Sequence, residues 1–149
     1  MSGVNIRTAN SRDVGALVHL LGQLFAIESD FDPNGERQER GLQRLLESDA
    51  IVLVAEVDHA VIGMVTAQFV ISTAEGAMSA WLEDMVVDAD WRGRGIGQQL
   101  LAAVCQAAVR RGCTRVQLVA DRDNEAALEF YRHQGFSETR LHAWRRKLA

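Results

Sequence analysis

Three glycines stand close together in residues 90–97, which read Asp-Trp-Arg-Gly-Arg-Gly-Ile-Gly. The segment lies between a predicted strand and a predicted helix. Glycine lets the backbone approach a ligand, and N–H groups at a helix N-terminus form a site for an anion. The residues therefore predict either a cradle for phosphate or a tight turn that uses glycine for its shape alone.

Two common classes of nucleotide site are excluded by the spacing. The dinucleotide fingerprint needs a glycine three positions after its second one, and counting from Gly93 that position holds Gln98. The nucleotide-triphosphate loop needs a Gly-Lys pair, but the one lysine in the chain is Lys147. A Schiff-base mechanism lacks an internal lysine for the same reason.

The pattern that remains, Arg92-x-x-Gly95-x-Gly97, resembles the acyl-CoA-binding signature of the GNAT superfamily of N-acetyltransferases. A second segment, residues 124–131 with the sequence Asn-Glu-Ala-Ala-Leu-Glu-Phe-Tyr, is followed by Gly135-Phe136. It is similar to the second signature of that superfamily. The two motifs have the order and separation found in the superfamily, and the resemblance covers essentially the whole chain.

The resemblance implies one N-acetyltransferase domain over residues 1–149. Its fold would be α/β, with a mixed central sheet of about seven strands flanked by helices. It implies acetyl-CoA as co-substrate and direct attack of a primary amine on the thioester in a ternary complex. Many members of the superfamily form homodimers, so a homodimer is expected, and residues 142–144 are candidates for its interface.

The resemblance also assigns residues to the cofactor. The strand that contains Met85 would bind the pantetheine arm, and the Met85 amide would stabilise the oxyanion formed during attack. The backbone amides of the turn would hold the diphosphate, and Asn124 would contact the pantetheine or hold its flanking loop. The expected cofactor-binding residues are Met85, Val86, Val87, Arg92, Gly93, Arg94, Gly95, Ile96, Gly97, Gln98, Asn124 and Tyr131.

Tyr131 and Glu83 are the expected catalytic residues. Tyr131, the only tyrosine, is either a core residue or, as the signature implies, the acid that protonates the departing thiolate. Glu83 and Asp84 are neighbours on a strand, so alternation predicts that they face opposite sides. We expect Glu83 to share the thioester face with Met85 and to act as base, directly or through a water. Asp84 is expected to form hydrogen bonds with neighbouring backbone groups or with a loop.

The acceptor side is predicted to be acidic. Residues 28–58 hold nine acidic residues against three arginines, which favours a cationic amine such as a polyamine, a diamine or an aminoglycoside. Glu28, Asp30, Phe31, Asp32 and Glu83 are the expected substrate-binding residues; a solvated loop is the alternative. The spermidine/spermine and thialysine acetyltransferase branch of the superfamily has a similar arrangement, in which a Leu-Glu-Asp strand, here residues 82–84, precedes Arg-Gly-x-Gly-Ile-Gly, here residues 92–97.

Composition excludes several other classes. The net charge of −4 argues against a nucleic-acid coat, and two cysteines are too few for a disulfide scaffold. Neither a signal peptide nor a membrane-length apolar run is seen, so a cytoplasmic protein is expected. The four histidines lack zinc-ligand spacing, so no metal is predicted.

Two alternatives to small-amine acetylation stay open: a non-catalytic sensor of acyl-CoA and a protein N-acetyltransferase.

The periodicity predicts the elements that position these residues. A helix capped by Ser11 and a second helix separate the first strand from a hairpin. A strand, a helix and a strand over residues 80–120 require a parallel crossover. The predicted strands are 4–8, 51–57, 61–71, 80–87 and 116–120, with one or two more over 136–148; the helices are the one capped by Ser11, 36–46, 95–111 and 124–134.

Overall fold

The computed structural model describes residues 3–28 and 32–149. These residues fall into two units, one ending at Leu118 and the other covering Val119–Ala149, and each is described by itself. The first unit contains strands β1 (Asn5–Thr8), β2 (Ile51–Val57), β3 (Ala60–Ser72), β4 (Ala77–Val87) and β5 (Cys113–Gln117), and helices α1 (Val14–Ile27), α2 (Gly35–Glu47) and α3 (Ile96–Arg110). The second unit contains helix α4 (Glu125–His133).

The sheet is mixed and has the order β1-β2-β3-β4-β5. Its first four strands pair antiparallel, and β5 pairs parallel with β4 after the chain crosses over through α3. The predicted α/β class and the parallel crossover are therefore confirmed. The expected number of about seven strands is wrong, because the sheet in the described residues has five.

The missing strands are those expected over residues 136–148, where the structure has no strand. After Phe136, the large apolar residues of this segment are Leu141, Trp144 and Leu148, which are spaced three and four residues apart instead of two. A strand with one buried face needs alternation, and this segment does not supply it. The side chains of Leu141, Trp144 and Leu148 are exposed, that of Trp144 to 95%.

Helices cover both faces of the sheet. On one face, the leucines of α1 and α2 pack against the strands in a cluster that includes Leu17, Leu42, Val54, Met64 and Val86. Gly63, next to Met64 on β3, faces the other side, where a Cβ would lie 3.0 Å from the Leu100 side chain of α3. The small residue thus lets α3 approach the sheet closely.

The start of α1 differs in detail from the prediction that Ser11 caps it. A short 3₁₀ helix, Ser11–Asp13, leads into α1, and its cap is Asn10, whose side chain accepts a hydrogen bond from the Arg12 N–H. Asp13 in turn accepts from the Asn10 N–H at 2.8 Å. This reciprocal pair satisfies backbone donors that the helix itself leaves open.

Candidate functional site

The glycine-rich turn joins the end of β4 to the start of α3. It begins with Asp88, whose carboxylate accepts a hydrogen bond from the Asp90 N–H at 2.9 Å. Gly93 and Gly95 have φ of 76° and 78°, in the left-handed region that glycine enters without strain. Gly95 is the N-cap of α3. The two glycines thus allow the sharp change of direction between the strand and the helix.

Backbone donors at this turn are available to an anion. The first N–H groups of α3, on Ile96, Gly97 and Gln98, have no acceptor within the helix, and the helix dipole adds partial positive charge there. The arginines of the turn fold back on it: Arg92 donates to the Val87 carbonyl at 3.0 Å, and the Arg94 guanidinium lies 4.7 Å from the Trp91 ring. The arrangement fits a diphosphate group held mainly by main-chain donors.

The neighbouring strand has an open edge. The pairing of β4 with β5 ends at Trp81 and Gln117, whereas β4 continues to Val87. Met85, Val86 and Val87 remain paired with β3 on their other edge. Among the described residues no strand covers the β5 side of this stretch, so its main-chain groups can pair with an extended ligand.

A β-bulge lies just before the open edge. Thr66 pairs with Asp84 and Ala67 with Leu82, so Glu83 is the extra residue of β4. The simple alternation that we expected from Glu83 through Met85 is therefore interrupted. A bulge redirects side chains and is common beside active sites. The sequence does not reveal it, because no glycine or proline marks the position.

Asp84, rather than Glu83, is the more buried carboxylate at the bulge. The Thr66 hydroxyl donates to its Oδ2 at 3.3 Å and accepts from its N–H at 3.1 Å. Burial raises the pKa of Asp84 to about 6, with further contributions from the negative charges of Glu83 and Glu28. Glu83 is exposed. The expected partner of Asp84, a backbone or loop group, is in fact the side chain of a buried threonine.

The residues expected to bind the acceptor are described only in part. Glu28 is half-buried and follows the last residue of α1, and its charge acts on Asp84. Asp32 is exposed. Asp30 and Phe31 lie outside the described residues, so their expected role as substrate ligands remains a prediction.

The second unit contains the other signature. The Asn124 side chain accepts a hydrogen bond from the Ala127 N–H at 3.2 Å and so caps α4. Tyr131 is half-buried between two phenylalanines, Phe130 at 5.3 Å and Phe136 at 5.6 Å between ring centroids, both edge-to-face. Asn124 thus has a structural role in its helix, and the two rings restrict how the phenol can turn.

Two other features of the described residues bear on metal binding and membrane insertion. No group of three or more histidine, cysteine, aspartate and glutamate side chains in residues 3–28 and 32–149 is arranged to hold a metal ion. No helix within the same residues has the length and apolar character that crossing a membrane requires.

Known proteins are similar to this chain over nearly its whole length. The profile of the Acetyltransferase (GNAT) family matches residues 19–136. Thialysine N-epsilon-acetyltransferase of Bos taurus is 28% identical over 160 aligned residues, which span 97% of this chain and 91% of the bovine protein.

Solved structures give the same result for the fold. Aminoglycoside N-acetyltransferase AAC(6')-Iy in complex with CoA is 23% identical with a TM-score of 0.85, covering 100% of this chain and 97% of that one. An aminoglycoside acetyltransferase from an uncultured soil metagenomic sample, in complex with trehalose, is 25% identical with a TM-score of 0.79, covering 98% and 97%. Because the family profile spans well over half of the chain, this protein belongs to the GNAT family of acetyltransferases and is an enzyme.

Proposed function

We propose that this enzyme transfers the acetyl group of acetyl-CoA to a primary amine of a small cationic molecule, such as a polyamine, a diamine or an aminoglycoside. The observation that carries the proposal is the open edge of β4, which leads directly into a turn of free backbone donors at the N-terminus of α3. CoA has an extended arm that ends in a diphosphate. The arm matches the open strand edge, and the diphosphate matches the donors of the turn that follows it.

The residues of the turn and those of β4 would bind different parts of acetyl-CoA, which supplies the activated acetyl thioester. The backbone of residues 92–98 holds the diphosphate, and the open edge of Met85, Val86 and Val87 pairs with the pantetheine arm. The Met85 N–H then points its partial positive charge at the thioester carbonyl. Such a fixed donor is typically worth about 2.7–4 kcal/mol in the transition state.

Glu83 is the proposed acceptor of the proton that the ammonium must lose. It is the extra residue of the bulge and is exposed, so an incoming amine can reach it directly or through a water. Asp84 is a second candidate, because its pKa of about 6 is closer to neutral pH than that of an ordinary carboxylate. Besides burial, the negative charge of Glu83 contributes to this raised pKa of Asp84.

Tyr131 is the proposed proton donor to the leaving thiolate. In the reaction the C–N bond of the amide forms and the C–S bond of the thioester breaks. The ammonium gives one proton to Glu83 before it attacks, and the phenol proton of Tyr131 passes to the CoA sulfur as the C–S bond breaks. The nitrogen then loses its second proton, which returns through solvent to the Tyr131 oxygen and leaves a neutral amide. The edge-to-face contacts with Phe130 and Phe136 support this role, since they hold the ring in one orientation.

A cationic acceptor is supported by the charges near the end of α1. Glu28 lies close enough to raise the pKa of Asp84, and the segment that follows contains Asp30 and Asp32. A concentrated negative field attracts ammonium groups. The similar proteins described above, a thialysine and two aminoglycoside acetyltransferases, favour the same class of acceptor.

The test is a thiol-release assay with acetyl-CoA and a panel of acceptors. The panel contains a diamine, a polyamine, an aminoglycoside, an anionic amino sugar and a basic peptide. We expect release with the small polycations and little with the anionic amine. Binding of acetyl-CoA without release for any amine would favour a sensor module. Release with the peptide alone would favour a protein N-acetyltransferase.

Two further expectations belong to this proposal. The first is a single acetyltransferase domain over residues 1–149, which is supported by a family match that runs from residue 19 to 136. The second is a homodimer, supported by the exposed Leu141, Trp144 and Leu148 near the C-terminus. Sedimentation analysis tests it, with Trp144→Ala expected to shift the distribution towards monomer.

A further inference from the structure

A glutamine on α1 braces the start of the glycine-rich turn. The Gln23 amide nitrogen donates to the Asp88 carboxylate at 3.1 Å, and its carbonyl oxygen accepts from the Ala89 N–H at 3.0 Å. Because a backbone N–H can only donate, the second contact fixes which end of the amide faces Ala89. The nitrogen also lies 3.2 Å from His19 Nε2, one helical turn earlier.

Asp88 connects this brace to the rest of the turn. Its second carboxylate oxygen accepts from the Asp90 N–H, its own N–H donates to the Ile62 carbonyl of β3 at 2.8 Å, and its carbonyl accepts from Trp91 at 2.9 Å. The hydrogen bonds to its carboxylate, with Gln23 a smaller contributor than Asp90, hold the pKa of Asp88 below its usual range. An ionised Asp88 therefore links α1, β3 and the turn at neutral pH.

The part of the turn proposed to hold the diphosphate has less support of its own. Residues 92–95 are exposed and lie between the last residue of β4 and the first of α3. Gly93 and Gly95 make this stretch easy to deform, since glycine restricts the backbone least. The direction of the backbone N–H groups thus depends on the path of the chain as it leaves β4. The Gln23 amide bonds to Asp88 and Ala89 at that point.

We propose that Gln23 is a positioning residue for CoA: its amide fixes the exit of the turn from β4 and so aims the backbone donors of residues 92–98 at the diphosphate. The inference rests on the proposed function of the turn. Gln23 does not touch the cofactor in this account and acts through Asp88 and Ala89. Its loss is therefore expected to weaken CoA binding and leave the chemical step nearly unchanged.

The test exchanges donor and acceptor across the pair. In Gln23→Glu the carboxylate still accepts from Ala89 but repels Asp88; in Asp88→Asn one of the bonds to the original carboxylate is lost. The double variant Gln23→Glu/Asp88→Asn restores the hydrogen bonds that join positions 23, 88, 89 and 90. The new amide nitrogen at position 88 donates to the new carboxylate at position 23, and the amide oxygen at position 88 accepts from the Asp90 N–H. Gln43→Glu, the same change at an exposed position of α2, is the control.

Calorimetry with CoA and steady-state kinetics with acetyl-CoA are the measurements. We expect each single variant to raise Kd and KM for the cofactor at least tenfold with kcat within about twofold, and the double variant to return within threefold of wild type. Singles that bind CoA like wild type, or a double as weak as the singles, would overturn the inference alone. A wild-type protein that binds no CoA would overturn the proposed function as well.

Discussion

The side chains of Thr66 and Asp84 form a closed pair across β3 and β4: the threonine hydroxyl accepts from the Asp84 N–H and donates to its carboxylate. The pair sits beside the bulge at Glu83, so an exposed carboxylate and a half-buried one follow each other along the strand. Thr66 is fully buried and its hydroxyl is satisfied by Asp84. The bulge therefore provides two carboxylates with different surroundings at adjacent positions of the chain.

The first prediction concerns the pH dependence of catalysis. Since burial and the charges of Glu83 and Glu28 raise the pKa of Asp84 to about 6, kcat/KM should rise with pH through about 6 as the carboxylate ionises. Asp84→Asn should remove this limb. Glu83→Gln should keep the limb but move it to lower pH, because one of the charges that raises the pKa of Asp84 is lost, and should lower kcat/KM at least about tenfold. pH–rate profiles of the three proteins are the measurement. A limb that persists in Asp84→Asn and vanishes in Glu83→Gln would assign it to Glu83 alone.

The second prediction separates chemistry from binding at Tyr131. Tyr131→Phe keeps the ring between Phe130 and Phe136 but removes the phenol, so kcat should fall by about 10²-fold or more. The Kd for acetyl-CoA, measured by calorimetry, should stay within about threefold of wild type. Unchanged kcat would remove the tyrosine from the proton-transfer step.

The third prediction concerns the acidic segment that contains Asp30 and Asp32. Reversing charge in Asp30→Lys/Asp32→Lys should raise KM for diamines and polyamines about tenfold and leave KM for acetyl-CoA unchanged, because a local negative field is lost. Glu47→Lys, at an exposed end of α2, changes the net charge by the same amount per residue and is the control. Equal KM values for every amine in the Asp30→Lys/Asp32→Lys variant and the control would show that this segment takes no part in recognition.

The fourth prediction concerns stability of the first unit. Arg7 donates to both oxygens of Asp13 at 2.9 Å and also to Glu56 at 2.8 Å. The hydrogen bonds from Arg7, together with one from the Asn10 N–H, hold the pKa of Asp13 below its usual 3.8. A lowered pKa stabilises the fold above pH 4, and this contribution disappears as pH falls through the folded-state value. Asp13→Asn should thus lower the free energy of unfolding by about 2 kcal/mol at pH 7 and by less near pH 3.

Urea unfolding at both pH values measures this difference. Asp32→Asn is the control, since Asp32 is exposed and should change stability little at either pH. A deficit in Asp13→Asn that is as large at pH 3 as at pH 7 would contradict the role of the ionised pair.

The sequence predicted the elements well where periodicity was strong. The apolar repeat of α3 and the β-branched runs of β2 and β3 predicted their elements within a few residues. The prediction of strands over residues 136–148 is wrong, because Trp144 and its apolar neighbours lack the alternation of a strand. The N-terminal cap was misplaced by one residue because Asn10 and Ser11 are both good capping residues.

The site was predictable only as far as local motifs reach. The turn at Gly93 and Gly95 follows from its residue types, since both require φ values that glycine supplies. The bulge at Glu83 and the bond between Asp84 and Thr66 depend on the register of β3 against β4, which pairs residues distant in sequence. The brace from Gln23 depends on the packing of α1 beside the end of β4, and no spacing along the chain encodes it.

The central claim is that the turn before α3 holds the diphosphate of CoA, and calorimetric titration with CoA tests it most directly. Gly95→Glu forces a side chain and a negative charge into the left-handed N-cap of α3, whereas Gly76→Glu makes the same change in the β3–β4 turn, at φ 66°. We predict that wild type and Gly76→Glu bind CoA alike and that Gly95→Glu loses at least about 100-fold in affinity. Equal affinity in Gly95→Glu, with the fold intact by circular dichroism, would contradict the account.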